Sequence, residues 1–430
     1  MADIWLKNCK IVPENREYAI GIENGKITSL KKAAPGGEEN LDLKGAVILP
    51  GLIDGHVHLR DPGLTHKEDF RTGTAAAACG GFTTVLDMPN TKPPTNTPQA
   101  FQEKLEIADK KSLVDFGLHA GVDDPSQIKE MAELKPVSFK IFMDLVEKEF
   151  LTEIFQEISE IKGHKPLISL HCEDKQIVNR STAKEREKGN LNPEIYGKAR
   201  PARAETVAVS NAILMALKFG LSIHICHVST GKSLELINNV QSEIRVTSEL
   251  TPHHLFLDSK YLEKFGNLAK TNPPLRDLKH KLGLSDLRRI DILGTDHAPH
   301  TLEEKEMNIW DAPPGIPNLE VTLPLLLTQI NQKEISFKDI KRLFCENPAK
   351  IFGINSKGVI REGMDADFVV VDMKKEGVIR ADDFKSKAKY SPFEGFKVKG
   401  MPVMTIVRGR VVMEEGEVFE NKGKSVEYKF

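Results

Sequence analysis

The chain has 430 residues, with 60 Lys and Arg against 62 Asp and Glu and a formal net charge of -2. No block of like charge exceeds a short helix face, which argues against nucleic acid as the main partner. The N-terminus lacks a basic stretch followed by an apolar one, and no apolar run reaches about 18 residues, so the expectation is a soluble, cytoplasmic protein without membrane contact.

From Ile4 to about Val47 short β-rich pieces (Asp3-Ile-Trp-Leu, Ala19-Ile-Gly-Ile, Lys26-Ile-Thr-Ser-Leu) alternate with Asn-Gly and Pro-Gly-Gly turns, a small antiparallel unit. The far end resembles it, with Asp367-Phe-Val-Val-Val-Asp and then Met404-Thr-Ile-Val-Arg-Gly-Arg-Val-Val-Met. The two ends are expected to pair. Between them, eight apolar runs alternate with helical spacing: Val47 to Leu59, Phe82 to Asn90, Val114 to Val122, Val137 to Met143, Leu167 to Glu173, Ser222 to Ser229, Arg245 to Pro252 and Ile290 to His297. Helical segments are expected at Pro98 to Ala108, Leu151 to Ile161, Ala204 to Lys218 and Lys232 to Asn239. This alternation predicts an α/β fold, a TIM-type (β/α)8 barrel over 49–352. A small discontinuous β-sandwich domain is built from both termini, 1–48 and 353–430. The longest irregular piece, about Asp174 to Arg203, follows the fifth strand and reads as either a lid or a plain surface excursion.

Residues at strand ends carry the chemistry, because sites on such barrels lie at the C-terminal ends of the strands. Strand one supplies His56 and His58, strand four Lys140, strand five His171, strand six His227 and strand eight Asp296. Two histidines one residue apart on a strand share a face and can grip one ion. Imidazole suits zinc, and a carboxylate completes a site that keeps a position for water. A buried, neutral Lys140 can take up carbon dioxide as a carbamate whose two oxygens bridge two metals. The expected centre therefore holds two zinc ions: His56, His58 and Asp296 on one, His171 and His227 on the other. The N6-carboxylated Lys140 and a hydroxide bridge them. Asp296 is the expected proton shuttle to the leaving nitrogen.

Taken singly, His56 or His58 reads as a core histidine, Lys140 as a strand-end lysine reaching solvent and Asp296 as a helix cap. All of these must hold together at five strand ends for the centre to vanish. His224, three residues before His227, is expected to face outward. Cys172 and Cys226, each beside a site histidine, are expected to pack outward too, and the five scattered cysteines suit a reducing compartment. His253 and His254 are expected to be structural, and His66, His119, His164 and His280 show no pattern.

Pro50-Gly-Leu-Ile-Asp-Gly-His-Val-His-Leu-Arg-Asp-Pro-Gly63, Asp87-Met-Pro-Asn-Thr-Lys-Pro93, Asn272-Pro-Pro-Leu-Arg276 and Gly294-Thr-Asp-His-Ala-Pro-His300 resemble the dihydroorotases of the amidohydrolase superfamily. The resemblance spans nearly the whole chain. It implies reversible closure of N-carbamoyl-L-aspartate to L-dihydroorotate in de novo pyrimidine (UMP) biosynthesis. It also implies contacts to an anionic small-molecule substrate from Arg60, Asn90 and His300, a ring contact from Asn272, and backbone groups from Pro314 and Gly315. Arg60 could instead pair with Asp61 or Glu68, and Asn90 could be only a turn former. Some members bridge their metals with an aspartate, so Asp144 competes with Lys140, which is preferred because it lies within the apolar run. A homo-oligomer and an association with aspartate transcarbamoylase are the implied partners. Two rivals stand beside this reading: an allantoinase or hydantoinase, which lacks the anion clamp, and a non-catalytic scaffold, which lacks the metals.

Overall fold

The structure is a computed structural model and describes residues 4–14, 16–34, 40–163 and 165–428. Asp3, the Pro35-Gly-Gly turn and His164 lie outside the described residues. Strands β1 (Ile4–Ile11), β2 (Arg16–Glu23) and β3 (Lys26–Lys31) form an antiparallel meander. Asn24 and Gly25 close its second turn at φ of 51° and 76°, the positive-φ pair that a two-residue hairpin requires. β4 (Asn40–Asp42) and β5 (Val47–Pro50) then lie parallel to β1.

The run expected as one strand from Val47 to Leu59 is two. After Gly51 the chain leaves β5 and enters the barrel as β6 (Leu52–Val57), which pairs in parallel with β7 (Phe82–Asp87), and that with β8 (Asp115–Leu118). A second parallel run comprises β9 (Ala120–Gly121), β10 (Phe139–Phe142), β11 (Ile168–His171), β12 (Ile223–Ile225), β13 (Val246–Leu250) and β14 (Ile292–Leu293). His119, between β8 and β9, joins the runs: its N–H donates to Asp87 O (2.9 Å), and its ring meets Ser138 Oγ (2.7 Å) and Gly55 O (3.1 Å). At the other seam His58 N donates to His297 O (2.8 Å). The ring of strands is thereby closed, a TIM-type barrel. Its strands read as apolar runs because helices cover them outside and side chains fill them inside.

Helices Pro98–Lys111, Lys148–Glu160, Ala202–Phe219 and Gly231–Val240 occupy the expected segments within a turn at either end. The first begins where Thr97 Oγ1 accepts from Ala100 N and Pro98 fills the first turn. The segment after β11 is helical rather than irregular: Lys175–Glu187, a short turn at Pro193–Ile195, and Tyr196–Ala199. Among the described residues no helix is long and apolar enough to cross a membrane.

β15 (Phe368–Val378) pairs antiparallel with β5, and β16 (Lys397–Val407), β17 (Arg410–Glu414) and β18 (Glu417–Val418) extend outward from it. Both ends of the chain thus share one nine-stranded sheet, which encloses its own core of Leu6, Ile20, Ile22, Ile48, Phe368 and Ile406. Between β15 and β16 the chain returns to the barrel mouth. There Ser386 bonds Glu68, and Tyr390 donates to Gly315 O (3.0 Å).

Candidate active site

Three of the expected site residues have left-handed backbone: Arg60 (φ 63°), His227 (φ 37°) and Asp296 (φ 45°). Such φ values are costly for side chains of this size and persist where the surroundings over-determine them, which is common at functional sites. They also explain why the regular strands stop short. β12 ends at Ile225 and β14 at Leu293, and the site side chains project from the turns just beyond.

Four imidazoles meet at the mouth of the barrel. Ring centroids lie 5.2 Å apart for His56–His58, 5.4 Å for His56–His227 and 4.8 Å for His171–His227. Asp296 Oδ1 stands 3.0 Å from His58 Nε2 and 3.4 Å from His56 Nε2. His171 Nδ1 and His227 Nε2 face each other at 3.0 Å. Lys140 is buried, its Nζ 5.0 Å from the Phe142 ring centre and 3.0 Å from Cys226 Sγ. Among the described residues no carboxylate is within ion-pair reach of it.

Each of three rings has its other nitrogen captured. His56 Nδ1 donates to Glu249 Oε1 (2.8 Å), His58 Nδ1 to Asn90 Oδ1 (2.6 Å) and His171 Nε2 to Glu173 Oε2 (3.1 Å). The free nitrogens are therefore the ones that converge. His227 Nδ1 is buried without a partner. Zn–N bonds of about 2.0–2.1 Å at the tetrahedral angle would separate two ligand nitrogens by about 3.3 Å, so the donor set fits zinc. The candidate ligand atoms of His56, His58 and Asp296 all lie within 4.8 Å of one another.

The electrostatics agree with a cation-seeking site. Burial pushes the Asp296 carboxyl up, but the neighbouring His56 and His58 outweigh it and hold it well below the usual range. Burial drives His58 down to about 4 and His227 well below its ordinary value, leaving their lone pairs free. At His56 burial is outweighed by Glu249 and Asp296, which raise it to about 10. An ion binding there has to displace a proton.

A cationic pocket adjoins the histidines. Arg60 is buried; its Nε donates to Pro299 O (3.2 Å) and one terminal nitrogen lies 3.1 Å from His300 Nε2. Neither of its expected alternative partners engages it: Asp61 pairs with Lys111 (2.7 Å), and Glu68 faces Ser386 and His297. Burial and neighbouring Arg60, Lys305 and Lys67 push His300 well below its ordinary value, so it stays neutral. Its Nε2 also contacts Pro314 O (3.1 Å). Gly315 N donates to Lys270 O (2.8 Å), and Gly315 O accepts from Lys305 Nζ (2.9 Å) and Tyr390, so both of its backbone groups are engaged within the protein. Its φ of 152°, and the carbonyl of Ala298 where a Cβ would stand, leave room for glycine alone. Asn272 Oδ1 accepts from Tyr196 OH (2.7 Å), which ties Asn272 to the helical segment after β11.

Several expectations are corrected. Cys226 points toward Lys140 and His56, not outward, and His224 is buried with Nδ1 on Thr247 Oγ1 (2.9 Å). The left-handed φ of His227 breaks the strand parity there: Ile223 and Ile225 face the apolar layer outside, and positions 224 and 226 turn inward. Cys172 does pack outward, against Met143 Sδ (3.6 Å). Asp144 is held by Arg200 (2.5 Å), which also bonds Glu173, and stands 3.6 Å from His171. His253 is buried beside Asn318 (3.0 Å). Sequence reasoning missed Glu249, Glu173 and Tyr390. The first two lie at strand ends in Ser248-Glu249-Leu250 and His171-Cys172-Glu173, the position that marked the histidines, whereas Tyr390 arrives from a remote segment with no such marker.

A closed (β/α)8 barrel with converging histidines, an aspartate and a buried lysine at its mouth defines a metal-dependent hydrolase class. The Amidohydrolase family profile matches residues 47–412, and the chain belongs to this family. Its relatives include a dihydroorotase of Methanothermobacter thermautotrophicus, 49% identical over 99% of this chain and 97% of the relative. Dihydroorotases of Methanosphaera stadtmanae (46%, covering 99% and 100%) and Pyrococcus furiosus (39%, covering 94% and 90%) are also similar. Among solved structures, the L-hydantoinase (dihydropyrimidinase) of Arthrobacter aurescens superposes with a TM-score of 0.93 at 33% identity, covering 99% of this chain and all of that one (100%).

Proposed function

We propose that the chain is a dihydroorotase, which closes N-carbamoyl-L-aspartate to L-dihydroorotate and reopens it, in de novo pyrimidine biosynthesis. The observation that carries this reading is the buried Arg60–His300 pair beside the histidine cluster: a cyclic amide at the cluster would place its carboxylate against a guanidinium. The hydantoinase-like rival shares the cluster but has no need of that cation.

His56, His58 and Asp296 are assigned to one zinc ion, His171 and His227 to the other, and N6-carboxylated Lys140 to both. Lys140 is favoured over Asp144 because Asp144 is committed to Arg200, while Lys140 is buried at the cluster with no carboxylate among the described residues holding it. When bound, the zinc pair supplies Lewis acidity, polarising the amide carbonyl and making water acidic enough to attack. Arg60 keeps N–H donors beyond those on Pro299 and His300 and forks onto the substrate carboxylate. Asn90 steers His58 and lies open to the substrate. Asn272, oriented by Tyr196, meets the ring. Pro314 holds His300 and Gly315 shapes the loop beneath it. In the hydrolytic direction Asp296 Oδ1 accepts the proton of the attacking water and delivers it to the ring nitrogen as the C–N bond breaks; in synthesis it carries the proton back.

The same reading brings a division into a barrel, 49–352, and an end domain, 1–48 with 353–430. It also brings a homo-oligomeric cytoplasmic enzyme; association with aspartate transcarbamoylase is tested by co-purification. Protein loaded with zinc is expected to cyclise carbamoyl aspartate and to ignore allantoin. Turnover of allantoin alone overturns the substrate assignment, and purification without stoichiometric zinc favours a non-catalytic scaffold.

A further inference from the structure

We propose that Glu249 is a positioning residue shared by both halves of the metal centre, so that its carboxylate sets the affinity for the two ions together. The inference rests on the ligand assignment above and deepens it.

Glu249 comes from β13, the one strand from β10 to β14 that supplies no assigned ligand. Its Oε1 accepts two hydrogen bonds that belong to different half-sites: from the ring Nδ1 of His56 (2.8 Å) and from the backbone N–H of His227 (3.0 Å). The first bond leaves Nε2 of His56 as the nitrogen that faces Asp296. The second holds the backbone of a residue at φ 37°, and with it the ring whose Nε2 faces His171 at 3.0 Å. The other orienting groups are one-sided, since Asn90 touches only His58 among the four rings and Glu173 only His171.

The surroundings are built for this carboxylate. It is completely buried, and Oε2 has no hydrogen-bond partner, the nearest ring nitrogen being His224 Nε2 at 3.6 Å. Among the described residues no Lys or Arg pairs with it. A buried carboxylate without such a cation is expensive unless a positive charge stands close by, and histidines bound to a dication supply one. Gly294, just after β14, packs directly against the Glu249 carboxylate, since a Cβ there would overlap it. One carboxylate therefore locks a ring on one side and a strained backbone on the other, and loosening it disturbs both pairs of converging nitrogens.

The test titrates zinc from the intact protein with a graded chelator and measures metal content in the wild type, Glu249→Met, Glu249→Ala and Asn90→Ala. Cobalt-substituted spectra serve as a second readout of ligand geometry. Both Glu249 variants are expected to lose affinity for both ions by about 10- to 100-fold, whereas Asn90→Ala weakens one. Glu249→Met keeps the length of the side chain while removing the acceptor oxygens, so it decides the matter should the alanine variant not fold. The proposal is overturned if Glu249→Met holds both ions within about twofold of the wild type, or if only one ion is weakened. A wild type that takes up no zinc refutes instead the ligand assignment beneath it.

Discussion

Arg60→Lys separates the charge of the anion pocket from its geometry. The guanidinium has five N–H donors. One serves Pro299 O at 3.2 Å, and a terminal nitrogen lies 3.1 Å from His300 Nε2, which leaves enough for a two-pronged grip on a carboxylate. A lysine keeps the charge but offers a single point of contact, so one charge-assisted hydrogen bond is lost, worth about 1.5–3 kcal/mol. At about 1.36 kcal/mol per factor of ten, kcat/KM for dihydroorotate falls roughly 10- to 150-fold. A neutral cyclic amide such as hydantoin never engages the fork, and any trace turnover of it is expected to be unchanged. The assay is steady-state hydrolysis of both compounds by wild type and variant at matched zinc content. A loss below about threefold on dihydroorotate, or an equal loss on both compounds, would refute the anion-clamp reasoning.

Asp296→Asn removes the proton carrier and is expected to lower turnover by about 10²- to 10⁴-fold; near-normal rates at matched metal content contradict the shuttle role. Gly315→Ala forces a Cβ against Ala298 O at φ 152°, so urea unfolding should show a loss of about 1–3 kcal/mol and KM should rise, and no change in either quantity removes the constraint argued for this loop. Glu320, whose carboxylate accepts from Lys385 N (2.7 Å), is pushed by burial up to about 7. Against an unfolded value of about 4.3, the folded state binds more protons between those two pH values, so this group's contribution to stability falls as pH rises through that window. Glu320→Gln is expected to flatten the stability profile from about pH 4.3 to 7 relative to the wild type, by up to about 1.4 kcal/mol per pH unit. Parallel profiles refute the shift.

The barrel and the pairing of the two chain ends were legible because period and position carry them. Apolar runs separated by helical spacing, and β-rich ends with turn residues, leave few other topologies. The histidines were legible because each stands at the end of such a run. Strand parity failed where the chain leaves the strand, at His227, and took Cys226 and His224 with it. The split of Val47 to Leu59 into two strands was equally hidden, since Pro50 and Gly51 interrupt a run that stays apolar on both sides.

By itself the sequence determined which groups are present and which strand each follows, because local periodicity places side chains relative to their own strand. Tertiary structure decided which nitrogen of each imidazole is free, that Asp144 is spent on Arg200, and that Glu249 touches two half-sites. It also decided that Tyr390 closes the loop of Gly315 from a segment beyond the barrel. Those facts are distances between residues far apart in the chain, set by barrel closure and by the way left-handed turns aim the side chains they carry.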